Sequence, residues 1–175
     1  MVESGHKRTS ILLIGAFVAS LILVSALIGC FATPENVSTS APSSTGTSLE
    51  SLISTQGVSV ISPEQTRQVM EQYPAALLID VRESSEYAQG HIPGAFLVPL
   101  GTITSAKTAD EARATGLDKA AQEKGLASAK DASALVVYCR SGVRSAQAAQ
   151  HLASLGFSPV LDAGGINSWP YEIEK

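Results

Sequence analysis

Cys139 opens the run Cys139-Arg140-Ser141-Gly142-Val143-Arg144, directly behind the apolar stretch Ala134 to Tyr138 and just ahead of a helical pattern that begins near Ser145. A thiol held between a strand end and a helix start meets unpaired backbone N–H groups, which favour an anion there. Gly142 supplies the positive φ that curling a six-residue loop around a sulfur requires. Arg140 and Arg144 add two cations, and no Asp or Glu occurs from Ala132 to Leu161. Each feature lowers a thiol pKa from its usual value of about 8.5, so the pattern predicts a thiolate nucleophile at neutral pH. Its ligand is expected to be a small anion, attracted by Arg140 and Arg144. The alternative, a buried structural cysteine, would bury a thiol between two arginines at a cost in desolvation. Cys30 is the only other cysteine, and no C-x-x-C pair exists, so neither a disulfide framework nor a metal site is expected.

The elements that must hold this loop alternate between strand and helix. Val58 to Ile61 is a short β-branched run, and Ser62-Pro63-Glu64-Gln65 gives an N-cap, a proline at the first helical position and a capping-box partner for a helix to about Gln72. Ala76 to Val81 reads as a buried strand, Ser84 to Gln89 as a short helix stopped by Gly90, and Ala95 to Val98 as another strand. After Ala134 to Tyr138 come a helix from Ser145 to Leu155, closed by Gly156, and a last strand starting at Val160. Strands separated by helices imply parallel βαβ units with chemistry just beyond the strand carboxyl ends, where Cys139 stands. Between the third and fourth strands, Gly101 to Ser133 is rich in Ala, Lys, Glu and Asp. Two weak helices, 109–115 and 118–124, are expected there, either lining the site or packing on the sheet.

The remainder of the 175 residues serves another purpose. Only 16% of side chains are charged and the mean hydropathy is +0.17, more apolar than one soluble domain needs. The excess lies in Ile11 to Ile28, an uncharged run preceded by His6, Lys7 and Arg8, the pattern of a segment entering a membrane with its N-terminus inside. Leu27-Ile28-Gly29-Cys30 resembles the lipobox of bacterial lipoproteins, which implies lipidation of Cys30 and cleavage before it; an uncleaved single-pass anchor is the alternative. Both leave the rest of the chain membrane-anchored and extracytoplasmic. Residues 30–57, rich in Ser, Thr and Pro, read as a disordered tether, and 58–175 as the folded domain. A formal charge of −4 excludes a polycation that coats nucleic acid.

Taken together, Leu77 to Leu100 (LLIDVRESSEYAQGHIPGAFLVPL), VVYCRSGVRSAQAAQHLASLGF and DAGGINSW resemble a single-domain rhodanese over about Val58 to Trp169. The resemblance implies a three-layer α/β/α fold with a five-stranded parallel sheet and sulfurtransferase activity. In that cycle Cys139 takes a sulfur from a donor such as thiosulfate and passes its persulfide sulfur to cyanide, a thiol or a protein acceptor. It also implies that Arg140, Ser141, Gly142, Val143 and Arg144 cradle the persulfide, with Asp80 and Arg82 in support; a surface ion pair is the other reading of those two. His91 is expected to stabilise its turn rather than act as a base, His151 to face solvent, and Trp169 to pack over the sheet edge. Two rivals remain: a carrier or sensor of the persulfide without turnover, and a phosphatase or arsenate reductase. Enzymes of that second kind have a Cys-to-Arg loop one residue longer than the one here.

Overall fold

The computed structural model describes residues 48–175. The apolar run, Cys30 and the tether up to Thr47 lie outside the described residues, and among the described residues no helix is long and apolar enough to cross a membrane. The elements are α1 (Leu49–Ser54), β1 (Val58–Val60), α2 (Pro63–Gln72), β2 (Leu77–Asp80), α3 (Ser84–Gln89), β3 (Phe96–Leu97), α4 (Leu100–Ser105), α5 (Ala109–Ala112), α6 (Asp118–Glu123), β4 (Leu135–Cys139), α7 (Val143–Ser154) and β5 (Val160–Gly165). The five strands form one all-parallel sheet in the order β1-β5-β4-β2-β3.

Alternation along the strands divides the core into two layers, as a two-fold side-chain repeat requires. Leu135, Val137 and Cys139 of β4 face the side where α7 packs through Ala148, Ala149 and Leu152. Val136 and Tyr138 face the other side, with Leu52 of α1 and Val69 of α2. The expected α/β/α sandwich is therefore present, and β4 is central with every residue buried.

The described residues open on α1, inside the stretch 30–57 expected to be tether. Ser48 Oγ accepts a hydrogen bond from the Ser51 N–H and caps α1, whose Leu52 is buried. Enough apolar surface lies in Leu49, Leu52 and Ile53 to dock a helix that the surrounding Ser and Thr disguise. The Ser62 capping box is present in full: Ser62 Oγ accepts from the Gln65 N–H and Gln65 Oε1 from the Ser62 N–H. Residues 101–133 pack on the sheet rather than line the site. Ile103, Ala112, Leu117, Ala120 and Ala121 are buried in the α7-side core, α4 joins the two expected helices, and Gly116, at φ 129°, turns the chain between α5 and α6.

Candidate active site

The loop after β4 is shaped by three contacts from β5 and its extension. β5 carries one extra residue opposite β4, so that Val137 pairs with Asp162 but Cys139 with Gly165. Gly164, at φ 72°, takes up that bulge, and its N–H donates to Asp162 Oδ1 at 2.9 Å. Gly165 then lies against the loop: a Cβ there would come within 2.6 Å of the Arg140 carbonyl oxygen and 2.7 Å of Ser141 Cα. One residue pair further on, the Asn167 N–H donates to the Arg140 carbonyl at 3.1 Å. From inside, the Ser145 hydroxyl, fully buried, donates to the carbonyls of Gly142 (2.9 Å) and Gly164 (3.1 Å).

Around this frame the backbone curls as expected, with Gly142 at φ 99° donating its N–H to Cys139 Sγ at 3.2 Å. Burial alone would push the Cys139 thiol up, but hydrogen bonds from the backbone of Ser145, Gly142 and Ser141 outweigh it and hold the thiol below its ordinary value. The helix begins at Val143 rather than Ser145, so Val143 is the first helical residue, and its side chain is 65% exposed.

Arg144, expected to attract a donor anion, has a carboxylate partner. Its Nη1 and Nη2 donate to Glu86 Oε2 and Oε1 of α3 at 2.7 and 2.8 Å, a bidentate pair. Arg144 holds the Glu86 carboxyl down at about 2, against an ordinary 4.5. The acid-free surroundings inferred from the local sequence are corrected here, because α3 reaches across the end of the sheet to supply a carboxylate.

Asp80 and Arg82 form a buried pair, which excludes the surface reading. Asp80 is fully buried, Arg82 is 5% exposed, and Arg82 Nε and Nη2 donate to the carboxylate at 2.6 to 3.0 Å. Arg82 Nη2 also donates to the Gly90 carbonyl at 2.8 Å, tying the end of β2 to the turn after α3. On that turn His91 stacks on Tyr87 with ring centroids 3.8 Å apart, and its Nδ1 lies 3.2 Å from the Tyr87 carbonyl. It therefore stabilises its turn, as expected. His151 does not face solvent freely: its Nε2 lies 2.9 Å from the Ala106 carbonyl, joining α7 to the end of α4.

Comparison with known proteins places this geometry. The rhodanese-like domain model matches residues 62–171. The chain belongs to the rhodanese-like family. A protein named sulfurtransferase from Allochromatium vinosum is 33% identical over 113 residues, covering 64% of this chain and 88% of its own. The thiosulfate:glutathione sulfurtransferase of Saccharomyces cerevisiae is 35% identical, covering 55% of this chain and 66% of its own. A probable adenylyltransferase/sulfurtransferase, MoeZ of Mycobacterium tuberculosis, is 32% identical over 66% of this chain, which spans only 26% of that relative's length.

Beside the rhodanese loop lies a cleft of about 410 Å³ lined by Arg82, Glu86, Arg140, Asn167, Trp169 and Tyr171 among others. Cys139 is 1% exposed and does not line it, whereas Arg140 and its partner Asn167 do. Trp169 packs on the core beside Leu78 and Tyr138 and also contributes to this wall. Glu86, Ser145 and Gly165 are the site residues that reading the sequence missed. Gly165 alone carried a local signal, as half of a Gly-Gly pair behind a strand.

Proposed function

We propose that this rhodanese transfers a sulfane sulfur from a small anionic donor such as thiosulfate, through a Cys139 persulfide, to an external acceptor. The observation that carries the reading is the Cys139 sulfur, buried yet held as a more acidic thiol by the N–H groups at the start of α7. The Cys139 thiolate attacks the outer sulfur of thiosulfate, the S–S bond breaks, and sulfite leaves with the electron pair. An acceptor thiolate or cyanide then attacks the terminal sulfur of the persulfide. That S–S bond breaks and the Cys139 thiolate is regenerated, ready for another donor. The amides of Ser141, Gly142 and Ser145 stabilise negative charge on Cys139 whenever it is the leaving group. Names of relatives support the class, since the Allochromatium protein is called a sulfurtransferase and the yeast one names thiosulfate and glutathione. A loop with four residues between Cys139 and Arg144 suits a sulfur atom better than the tetrahedral oxyanion of a phosphatase.

The test is mass spectrometry of the intact protein: thiosulfate should add about 32 Da, one sulfur, and cyanide should remove it. Cys139→Ser should show neither change. An adduct on that variant would assign the nucleophile elsewhere, and no adduct on the wild-type protein would defeat the reading.

Anchoring belongs to the same proposal. The lipobox-like Leu27 to Cys30 and the apolar run before it support an extracytoplasmic domain held at the membrane by a lipid on Cys30. Labelled fatty acid should enter the wild-type protein and not Cys30→Ala; equal labelling of both would refute lipidation at that cysteine.

A further inference from the structure

The segment Trp169 to Glu174 runs across the turn that follows α3, and both backbone and side chains hold it there. His91 and Glu174 form an isolated antiparallel bridge in which each N–H donates to the other's carbonyl at 2.8 Å. Ile173 lies over Gly90, where a Cβ would come within 2.9 Å of Ile173 Cδ1. Trp169 Nε1 donates to the Glu172 carbonyl at 3.1 Å, Tyr171 meets the Trp169 ring edge-on, and the Arg67 guanidinium of α2 stands 5.4 Å from the centre of the Tyr171 ring. Ile173 and Glu174 lie beyond the residues that the family model matches. Tyr171 and Ile173 line the cleft that Arg82, Glu86 and Arg140 also line, so the segment is a strap along its edge.

Imidazole is the side chain that changes charge between about pH 5 and 8, and the strap is fastened to one. His91 Nδ1 lies 3.2 Å from the Tyr87 carbonyl; a carbonyl only accepts, so this contact assigns the hydrogen of the neutral ring to Nδ1. Nε2 then carries the lone pair, and it faces Glu174 Oε2 at 3.5 Å. Neutral His91 opposes a lone pair to a carboxylate, whereas protonated His91 opposes an N–H that bears positive charge. The Tyr87 ring of α3, stacked at 3.8 Å between centroids, favours the cation as well. From β2, Arg82 Nη2 donates to the Gly90 carbonyl, and Asp80 offsets its charge at 2.6 Å. From β4, the Tyr138 hydroxyl accepts the Ile92 N–H. Burial pushes the phenols of Tyr87 and Tyr138 up, so neither ionises in that range.

We infer that the strap is a pH-sensitive clasp, in which His91 takes a proton from solvent at Nε2, bonds the Glu174 carboxylate and closes residues 171–174 along the cleft. Loss of that proton leaves the two backbone hydrogen bonds and the Ile173 contact, and the strap opens more often as pH rises. An open strap takes Tyr171 and Ile173 out of the cleft wall and leaves Arg82 and Arg140 more accessible. The clasp works whether or not sulfur is transferred, so it is tested without a sulfur donor.

Hydrogen exchange of the Glu174 and His91 amides in the whole protein, each set against the free-peptide rate at the same pH, reads the opening. From pH 8 to pH 5 their protection should rise about threefold, the size of one partly exposed ion pair. Glu174→Gln keeps the backbone bridge without the charge, and His91→Gln keeps a side-chain donor for the Tyr87 carbonyl; in both, protection should be equal at the two pH values. Acrylamide quenching of Trp169, the only tryptophan of the chain, should be weaker at pH 5 than at pH 8 in the wild-type protein alone. Protection that is independent of pH, that falls as pH falls, or that rises equally in Glu174→Gln would overturn the clasp. Protection that follows His91 while Trp169 quenching stays constant would overturn its control of the cleft.

Discussion

Glu86 shows how one side chain can set the state of a loop it does not belong to. Placed on α3, it holds Arg144 at the first turn of α7 by two charge-assisted hydrogen bonds. Arg144 therefore ties the helix start at which the Cys139 thiol is stabilised to α3. The pair is partly exposed, with side chains 30% and 24% accessible, so its contribution to stability is about 1 kcal/mol. Because the folded carboxyl titrates at about 2 rather than 4.5, that contribution is complete above about pH 4.5 and fades as pH falls through 2. Glu86→Gln should thus lower stability to urea by about 1 kcal/mol at pH 7, with the difference from wild type shrinking below pH 4.5. A difference that stays constant down to pH 2 would remove the ion pair from the account.

Among the elements, β5 decides the shape of the loop more than β4 does. Its bulge at Gly164 sets Gly165 under Arg140 and Ser141, where a methyl group has no space against backbone atoms. Gly165→Ala should therefore cost about 2 kcal/mol or more, because the backbone of the loop has to move. It should also raise the pH at which Cys139 becomes reactive toward an alkylating agent. Gly101 of α4 is the matched control: nothing lies within 4 Å of its would-be Cβ and its φ is unexceptional. Gly101→Ala should stabilise by about 0.5 kcal/mol and leave Cys139 unaffected. Equal effects of the two alanines in urea melts would contradict this assignment.

The same elements show what could be read in the chain and what could not. β4 and the capped α2 were legible because burial, capping and periodicity are local signals. So was the placement of Cys139 between strand and helix. Contacts made at long range were not: Glu86 and Arg144 are 58 residues apart, and His151 meets the Ala106 carbonyl across 45. For Asp80 and Arg82 a surface ion pair stayed open beside the supporting role, because sequence does not show that both are buried and that Arg82 reaches the Gly90 carbonyl. α1 was read as tether because Ser and Thr dominate its surroundings, although Leu49, Leu52 and Ile53 suffice to dock it.

At the scale of the molecule, α1 packs as part of the folded domain. A chain starting at Ser48 should match the chain from Cys30 in thermal stability, whereas one starting at Val58 uncovers the core beneath Leu52. Leu52→Ala in the longer chain should cost about 2 to 4 kcal/mol, read in urea. If the chain from Val58 melts with the others, α1 is no part of the cooperative unit.

The sheet order also has a consequence in time. Among the described residues β1, the first strand, pairs with β5, the last, and the loop around Cys139 is braced by Gly165 and Asn167, which follow it in the chain. Pairing of strands so distant along the sequence is slow, since the whole intervening chain must be gathered first. A polypeptide that has emerged only as far as α7 holds Cys139 without the brace that shapes its amides. Until β5 has followed and paired, the amides that lower the Cys139 thiol lack the support of Gly165 and Asn167.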